Sequence, residues 1–359
     1  MVTLVRRADA LPEAAAWSVA VFAPWLVSRS VLLLVALDAA RHRGKTLLGA
    51  LTVWDGAWYA QIARDGYGFV SSRGETPWPF FPLFPGMLHA GGRLGLPAAV
   101  TGVVVNHALL LLALTGVWAI TAAHGTRREA ALASWSLALF PGSAALTLVY
   151  PDAIFLACCV WAFLAIEHGR DTAAAVLAAI AAIVRPNGAV LAASLGAAVL
   201  LAGAPAAPSL RRATRVMLPA AGCVTAWLAF LWARTGDPLV FANAKTAWHE
   251  VTLASLLAGR DVPPKLDLAP LAFAIAMLAF AWRRMPAGWL VLAALALLPS
   301  LGLGILGVPR YTAACFPVFV ACGIVLARLP RSVATVVLGT FAFGLATFGM
   351  RVLRAEQMP

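Results

Sequence analysis

Residues 17–38 read WSVAVFAPWLVSRSVLLLVALD, an apolar run of the length that a helix needs to cross the hydrocarbon core of a bilayer. Further runs of similar character predict helices near 98–123, 129–148, 150–168, 171–184, 187–203, 216–234, 268–282, 287–307, 311–328 and 332–350. We therefore predict an all-α polytopic membrane protein with about 11 transmembrane helices, within a range of roughly ten to twelve.

The composition of the chain also favours lipid as its solvent, because 62% of the 359 residues are hydrophobic and only 12% are charged. The net charge of +12 does not indicate nucleic-acid binding, since the basic residues lie between apolar runs and form no continuous basic face. The prevalence of Arg and Ala is typical of a GC-rich bacterial genome. The five cysteines fall inside predicted helices without metal-ligand spacing and are interpreted as small core residues: Cys158, Cys159, Cys223, Cys315 and Cys322.

The basic residues of the short loops predict the topology. With the N-terminus in the cytoplasm, most of them lie on the inner face, as the positive-inside rule requires, and Arg351 and Arg354 are exceptions. Two long loops, 39–97 and 235–267, then lie outside with most of the unusual polar and aromatic sequence. We predict one domain over 1–359 in the cell membrane, with its functional site on the outer face. No cleavable signal is expected, because no small-residue cleavage site follows the first apolar run.

The first outer loop contains WDGAWYAQIARDGY at 54–67. Trp54, Trp58 and Ile62 recur every four residues, which predicts a short amphipathic helix in the membrane interface with its aromatic rings at headgroup depth. Asp55 lies at the start of this helix. On spacing alone it is either an N-cap, which accepts a backbone N–H bond, or a functional carboxylate.

The same loop continues with PWPFFPLFPG at 77–86. Four prolines among large aromatic residues predict no regular helix, although the segment is too apolar for a solvated loop. It either packs rigidly at the membrane surface or forms one wall of a groove for a lipid chain, and the two interpretations are compatible.

Three polar residues lie within or between the apolar runs. Asp152, in LVYPDAIF, is expected in a first helical turn, where the helix dipole favours it, or in contact with a substrate. Arg29 and Asn106 lie inside the first two long runs. Because a charge at membrane depth is costly, we expect Arg29 to have a partner, and its role in substrate binding or in tying helices together stays open.

Basic residues also occur at the outer turns. Arg185 in VRPNG and Arg310 in GVPRY either extend to lipid headgroups or converge on a phosphate, which guanidinium groups bind bidentately. In the second outer loop, AKTAWHE at 244–250 contains Lys245 and His249, which are either solvated loop residues or substrate contacts.

Together these motifs resemble the PIG-V-like mannosyltransferases, the GPI mannosyltransferase 2-like family, which belongs to the GT-C class of polytopic glycosyltransferases. The resemblance depends mainly on W-D-G-A-W-Y-x-x-I-A-x-x-G-Y followed by F-F-P-L-F-P, and Y-P-D-A-I-F, V-R-P-N-G and G-V-P-R-Y support it in order across 54–311. Two positions depart from the family pattern, since Asp152 replaces the more usual Glu and Pro186 replaces Ser.

The resemblance implies a polyprenyl-phosphate sugar donor, with mannose favoured, and a lipid or glycan acceptor on the outer face. It also favours Asp55 as the catalytic residue, because GT-C enzymes place their catalytic carboxylate in the first outer loop. We expect an inverting displacement with Asp55 as general base. Arg185 and Arg310 are expected to stabilise the leaving phosphate, with Lys245 and His249 as weaker candidates.

Asp152 is expected to orient the acceptor or to support an arginine. The aromatic residues expected to wall the sugar and the first prenyl units are Trp54, Trp58, Tyr59, Trp78 and Phe81. No metal motif is evident and no cofactor is predicted, with a divalent metal between Asp55 and Asp152 as the alternative.

Two alternative functions stay open at this point. A transporter or lipid flippase predicts repeated halves and polar residues along the bilayer depth, and the sequence has no clear repeat. The same chemistry with another polyprenyl-phosphate sugar, such as glucose, galactose or arabinofuranose, is not distinguished. The sequence predicts no oligomeric state.

Overall fold

The structure is a computed structural model that describes residues 13–72, 74–203, 205–244, 268–303 and 307–358. Within these ranges the chain is helical and contains no β-strand, so the predicted all-α class is confirmed. We number the α-helices in chain order: α1 Glu13–His42 (with a π-helical turn at Ser18–Phe22), α2 Leu47–Leu51, α3 Asp55–Asp65, α4 Leu83–Arg93, α5 Ala98–His124, α6 Arg127–Leu139, α7 Asp152–Glu167, α8 Asp171–Ala182, α9 Ala189–Leu200, α10 Ala206–Thr235, α11 Val240–Asn243, α12 Ala269–Ala281, α13 Ala287–Leu303, α14 Val308–Ala313, α15 Phe316–Ala327 and α16 Arg331–Leu353.

Four of the described helices, α1, α5, α10 and α16, are long and apolar enough to cross a bilayer. They contain 30, 27, 30 and 23 residues, and a crossing needs about 20. Shorter apolar helices lie among them: Asp171–Ala182, Pro186–Leu200, Ala287–Leu298 and Phe316–Ala327. These spans support a membrane protein, while the count of about 11 crossings and the topology stay predictions.

The centre of the bundle is α7, which is buried along almost its whole length. It packs against α5 and α8, and α6 packs against α15. In each of the outer helices α10 and α16, only 22% of the most apolar stretch is buried inside the protein, as expected for helices that present most of their surface to lipid.

The predicted helix 129–148 is wrong beyond Leu139, where α6 ends. Phe140 has an extended backbone because it precedes Pro141, and a 3₁₀ helix follows at Pro141–Leu146. The chain then runs through an irregular segment at 147–151, all of it buried. Irregular backbone is tolerated at depth only where protein satisfies its polar groups, so this segment needs internal partners.

Two further helix predictions need correction. The predicted helix 311–328 is divided, because α14 ends at Ala313 and α15 begins at Phe316 with Pro317 in its first turn. Residues 83–86, predicted to be non-helical, begin α4 instead. Pro85 is tolerated there because the first-turn N–H groups of a helix have no intrahelical partner.

The helix predicted in the first outer loop is present as α3, one residue shorter at its start than the apolar spacing implied. Its buried side includes Tyr59, Ile62 and Ala63, and Arg64 on the other side is exposed. Its location in the membrane interface stays a prediction.

Candidate active site

Four charged side chains from four separate segments meet at the N-termini of α3 and α7. Asp55 and Asp152 are the first residues of these helices, and Arg185 and Arg310 come from the turn before Pro186–Gly188 and from α14. Arg310 Nη1 lies 2.6 Å from Asp55 Oδ2, and its Nε lies 3.8 Å from Asp152 Oδ1. Arg185 Nη1 lies 2.5 Å from the same Asp152 oxygen. The sequence-predicted Asp55, Asp152, Arg185 and Arg310 therefore form one cluster of two ion pairs joined by Arg310.

Solvent exposure differs strongly across this cluster. The side chains of Asp55 and Arg310 are 31% and 16% exposed, whereas those of Arg185 and Asp152 are 6% and 1% exposed. Asp152 Oδ2 is buried without a hydrogen-bond partner in the described ranges. Asp55 is thus the accessible carboxylate, and the Asp152–Arg185 pair lies behind it.

The N-cap interpretation of Asp55 is wrong. Asp55 is the first helical residue of α3, and Trp54 occupies the cap position without a capping hydrogen bond from its own side chain. The carboxylate pairs with Arg310 instead, while the helix dipole still favours a negative charge in this first turn.

Two tyrosines and a phenylalanine hold the guanidinium groups in place. The Arg310 guanidinium carbon lies 5.2 Å from the centroid of Tyr150 and 5.3 Å from that of Tyr311. The Arg185 carbon lies 5.2 Å from Tyr311 and 5.3 Å from Phe155. Tyr311 therefore contacts both arginines, and such cation–π contacts restrict the planes in which the guanidinium groups lie.

Arg29 and Asn106 hold the irregular segment 147–151. The partner expected for Arg29 is confirmed as the hydroxyl of Thr147, which accepts a hydrogen bond from Arg29 Nη1. Asn106 Nδ2 donates to the carbonyls of Leu148 and Tyr150, the second at 2.9 Å. Arg29 and Asn106 are 6% and 0% exposed. Asn106 therefore satisfies the buried backbone carbonyls around Tyr150, and Arg29 bonds to a side chain of the same segment. A substrate contact by either residue stays a prediction.

The residues of the predicted aromatic wall fall into three groups. Trp58 stacks between Phe69 and Phe80, with ring centroids 5.4 and 5.6 Å away. Tyr59, next to it on α3, is buried edge-on against Phe80 and Phe84.

Trp78 and Phe81 form the second group. Trp78 stacks on Tyr67 at 5.7 Å, and Phe81 packs 5.5 Å from Trp227 of α10. This group packs against α10, and the Tyr67 hydroxyl links it to the first group by donating to the Phe80 carbonyl at 2.8 Å.

Trp54 forms the third group by itself, directly before Asp55. Its indole Nε1 donates a 3.2 Å hydrogen bond to the carbonyl of Val352 in α16. Lys245 and His249 lie outside the described residues.

No group of three or more His, Cys, Asp or Glu in the described ranges is arranged to hold a metal ion. The guanidinium of Arg310 contacts both Asp55 and Asp152, so a cation already bridges the two carboxylates. The arrangement brings together an accessible carboxylate, a positive group beside it and a buried ion pair behind both. It is suited to accepting a proton close to a group that stabilises negative charge.

Three curated proteins that are similar in sequence to this chain share one name. The chain is 34% identical to the GPI alpha-1,6-mannosyltransferase 2 of Mus musculus over 154 residues, 32% to that of Cricetulus griseus over 153 and 34% to that of Rattus norvegicus over 156. Each match covers 40% of this chain and 30% of the relative, so the match spans under a third of those proteins. The resemblance to PIG-V-like mannosyltransferases is confirmed. No family model matches the chain.

The structure is also similar to crystal structures of an Archaeoglobus fulgidus oligosaccharyltransferase. The apo form aligns with a TM-score of 0.47 and 14% identity, over 92% of this chain and 56% of that one. The form tethered with an acceptor peptide aligns with a TM-score of 0.48 and 13% identity, over 92% and 55%.

Sequence reasoning missed Tyr150 and Tyr311, although both stand inside the PIG-V-like motifs Y-P-D and P-R-Y. The charge of the aspartate and of the arginine in these motifs indicates a functional role, whereas a neighbouring tyrosine carries no charge. Each tyrosine is adjacent to such a residue or one proline removed from it, and each contacts a guanidinium in the structure. An aromatic residue beside a functional arginine was the available signal.

Proposed function

We propose that the protein is a membrane glycosyltransferase that moves a sugar, with mannose favoured, from a polyprenyl-phosphate donor to a lipid or glycan acceptor. The reaction takes place on the outer face of the cell membrane. Two findings support the proposal: the relatives are named mannosyltransferases, and Asp55 of the first-loop motif lies in the charged cluster.

The observation that carries the proposal is the ion pair between Asp55 and Arg310. The first-loop motif places the carboxylate at the start of α3, and α14 supplies the guanidinium from 255 residues further along the chain. A pair assembled from such distant segments at an accessible position is a functional-site candidate on physical grounds.

In the proposed mechanism, Asp55 accepts the proton of the acceptor hydroxyl as the hydroxyl oxygen attacks the anomeric carbon. The bond from that carbon to the phosphate oxygen breaks, and its electron pair stays on the polyprenyl phosphate. One displacement of this kind inverts the anomeric configuration. A general base at this step contributes about 10²–10⁴-fold in rate.

The charge balance of the cluster links the two events. With both aspartates ionised, Asp55, Asp152, Arg185 and Arg310 carry no net charge. When Asp55 takes up the proton, it no longer neutralises Arg310. The guanidinium is then available to the phosphate oxygen as negative charge develops there.

Asp152 and Arg185 have a supporting role in this mechanism. Their pair is nearly inaccessible, and Asp152 also attracts Arg310 at 3.8 Å. The expectation that Asp152 supports an arginine is therefore favoured over contact with the acceptor. Arg185 is also occupied, so Arg310 is the arginine closest to accessible space.

The test is sugar transfer by the purified protein in nanodiscs. Labelled polyprenyl-phosphate mannose and a bacterial total lipid extract are supplied, and the label is followed into new lipid or glycan products. Asp55→Asn is expected to lose at least about 100-fold in rate, because the amide cannot accept the proton. Asp65→Asn is the matched control, since Asp65 ends the same helix and pairs with the exposed Arg64.

Transfer that survives in a folded Asp55→Asn variant would disprove the mechanism. Absence of transfer by the wild type with mannose leads to the same assay with other polyprenyl-phosphate sugars. Failure with all of them, using a broad acceptor pool, would contradict the glycosyltransferase proposal.

A further inference from the structure

The backbone immediately before Asp55 has an unusual conformation. Trp54 has φ 54° and ψ −127°, a region that favours glycine because a β-carbon is crowded there. In the described ranges only Ala355, near the C-terminus, is another non-glycine residue with positive φ. Such strain persists only where the surroundings hold it, and it is frequent at functional sites.

Two hydrogen bonds from opposite sides hold this turn. The Trp54 indole donates to the Val352 carbonyl at 3.2 Å, which ties the turn to the C-terminal end of α16. The Asp55 backbone N–H donates to the Tyr150 hydroxyl at 3.1 Å, which ties it to the segment 147–151. A first-turn N–H has no partner within its own helix, so the tyrosine supplies the one that α3 lacks.

Tyr150 is itself held firmly. Its side chain is fully buried, its carbonyl accepts a hydrogen bond from Asn106, and its ring faces the Arg310 guanidinium. The same side chain therefore contacts the backbone of Asp55 and the guanidinium that pairs with the Asp55 carboxylate. It is placed to set the position of one relative to the other.

We propose that Tyr150 and Trp54 are positioning residues, which hold the start of α3 so that the Asp55 carboxylate stays against Arg310. This inference rests on the proposed function for its effect on transfer. Neither residue receives a proton or contacts the reacting atoms in this role. Without the two bonds, the first turn of an 11-residue helix frays and the carboxylate leaves the guanidinium for part of the time.

The experiment compares Tyr150→Phe and Trp54→Phe, each of which removes a hydrogen-bonding atom and keeps an aromatic ring. Ser194→Ala is the control, because it deletes a buried hydroxyl that bonds within α9, away from the cluster. Each variant is measured for kcat and KM of sugar transfer. Amide hydrogen exchange is followed by mass spectrometry in peptides that cover 51–59 and in the rest of the chain.

Each of the two variants is expected to lower kcat by about 3- to 10-fold, the effect of one lost hydrogen bond, with KM for the donor changed by less than about twofold. Exchange should become faster in the peptides over 51–59 and stay unchanged elsewhere. Ser194→Ala should match the wild type in both measurements.

Unchanged kcat and unchanged exchange over 51–59 in both variants would overturn the inference, and so would faster exchange spread evenly over the chain. If Tyr150→Phe does not fold, Trp54→Phe tests the same turn from its other side. If the wild type transfers no sugar, the proposed function has failed, and local exchange at 51–59 still decides whether the two residues hold Asp55.

Discussion

The buried pair of Asp152 and Arg185 permits a quantitative prediction. Their side chains are 1% and 6% exposed and their nearest atoms are 2.5 Å apart, so removing one charge leaves the other buried without its partner. Breaking such a pair costs about 3–5 kcal/mol, whereas removing both charges restores neutrality. Asp152→Asn and Arg185→Gln are each expected to destabilise the protein strongly. The double variant should lose no more stability than either single variant loses. This corresponds to a coupling energy of about 3–5 kcal/mol between the two side chains.

The two single variants should not be equal. After Arg185→Gln, Asp152 keeps Arg310 at 3.8 Å. After Asp152→Asn, Arg185 loses the charge of its partner and keeps its ring contacts with Phe155 and Tyr311. Asp152→Asn is therefore expected to be the more destabilising of the two.

The free energy of unfolding is measured by titration with sodium dodecyl sulfate in mixed micelles, with fluorescence of the 13 tryptophans as the signal. If the stability losses of the two single variants add up in the double variant, the two side chains act independently. A larger loss for Arg185→Gln than for Asp152→Asn would refute the role given to Arg310. Either result would contradict the arrangement of two linked ion pairs.

Three further predictions concern the surroundings of the cluster. Asn106→Ala should lower the midpoint of thermal unfolding, since each carbonyl of 147–151 left unpaired costs about 1–3 kcal/mol, and an altered KM without lost stability would instead indicate substrate contact. Gly142→Ala should reduce transfer, because the new β-carbon would lie 2.0 Å from the carbonyl oxygen of Pro309, beside the cluster, at a cost of about 1–3 kcal/mol. Gly222→Ala, where nothing lies within 4 Å, is its control, and equal activity of the two variants would contradict the close packing. Chelation by EDTA should leave the transfer rate unchanged, and a loss restored by a divalent ion would establish metal dependence.

The sequence predicted the parts of the site that depend on local patterns. The spacing of Trp58 and Ile62 in the first outer loop predicted a helix, and α3 is there with Asp55 at its start. Binding of a phosphate by Arg185 and Arg310 stays a prediction, but the two arginines do lie in one cluster, which is one of the two arrangements that the sequence left open. They meet two carboxylates rather than open space, because a convergent pair of buried positive charges needs compensation.

Hydropathy did not reveal where the long apolar runs are interrupted. Between Leu139 and Asp152 the chain stays apolar, so its composition looks like a continuing helix although Pro141 marks the break. The interruption depends on tertiary contacts, since Asn106 supplies the donors for the irregular carbonyls and Arg29 bonds to Thr147. The positive φ of Trp54 could not be predicted from the sequence either. Tryptophan rarely adopts this conformation, and the hydrogen bonds that hold it come from remote segments.

The order of exposure within the cluster separates the roles of its members. Asp55 at 31% and Arg310 at 16% are the two more exposed of the four charged side chains. Asp152 and Arg185 are sealed behind them, where a charge contributes mainly to the field and to stability. Substitutions of Asp55 should therefore reduce transfer at nearly constant stability, whereas single substitutions of the inner pair should reduce stability first. This contrast follows from burial alone, so it holds for any sugar that the donor carries.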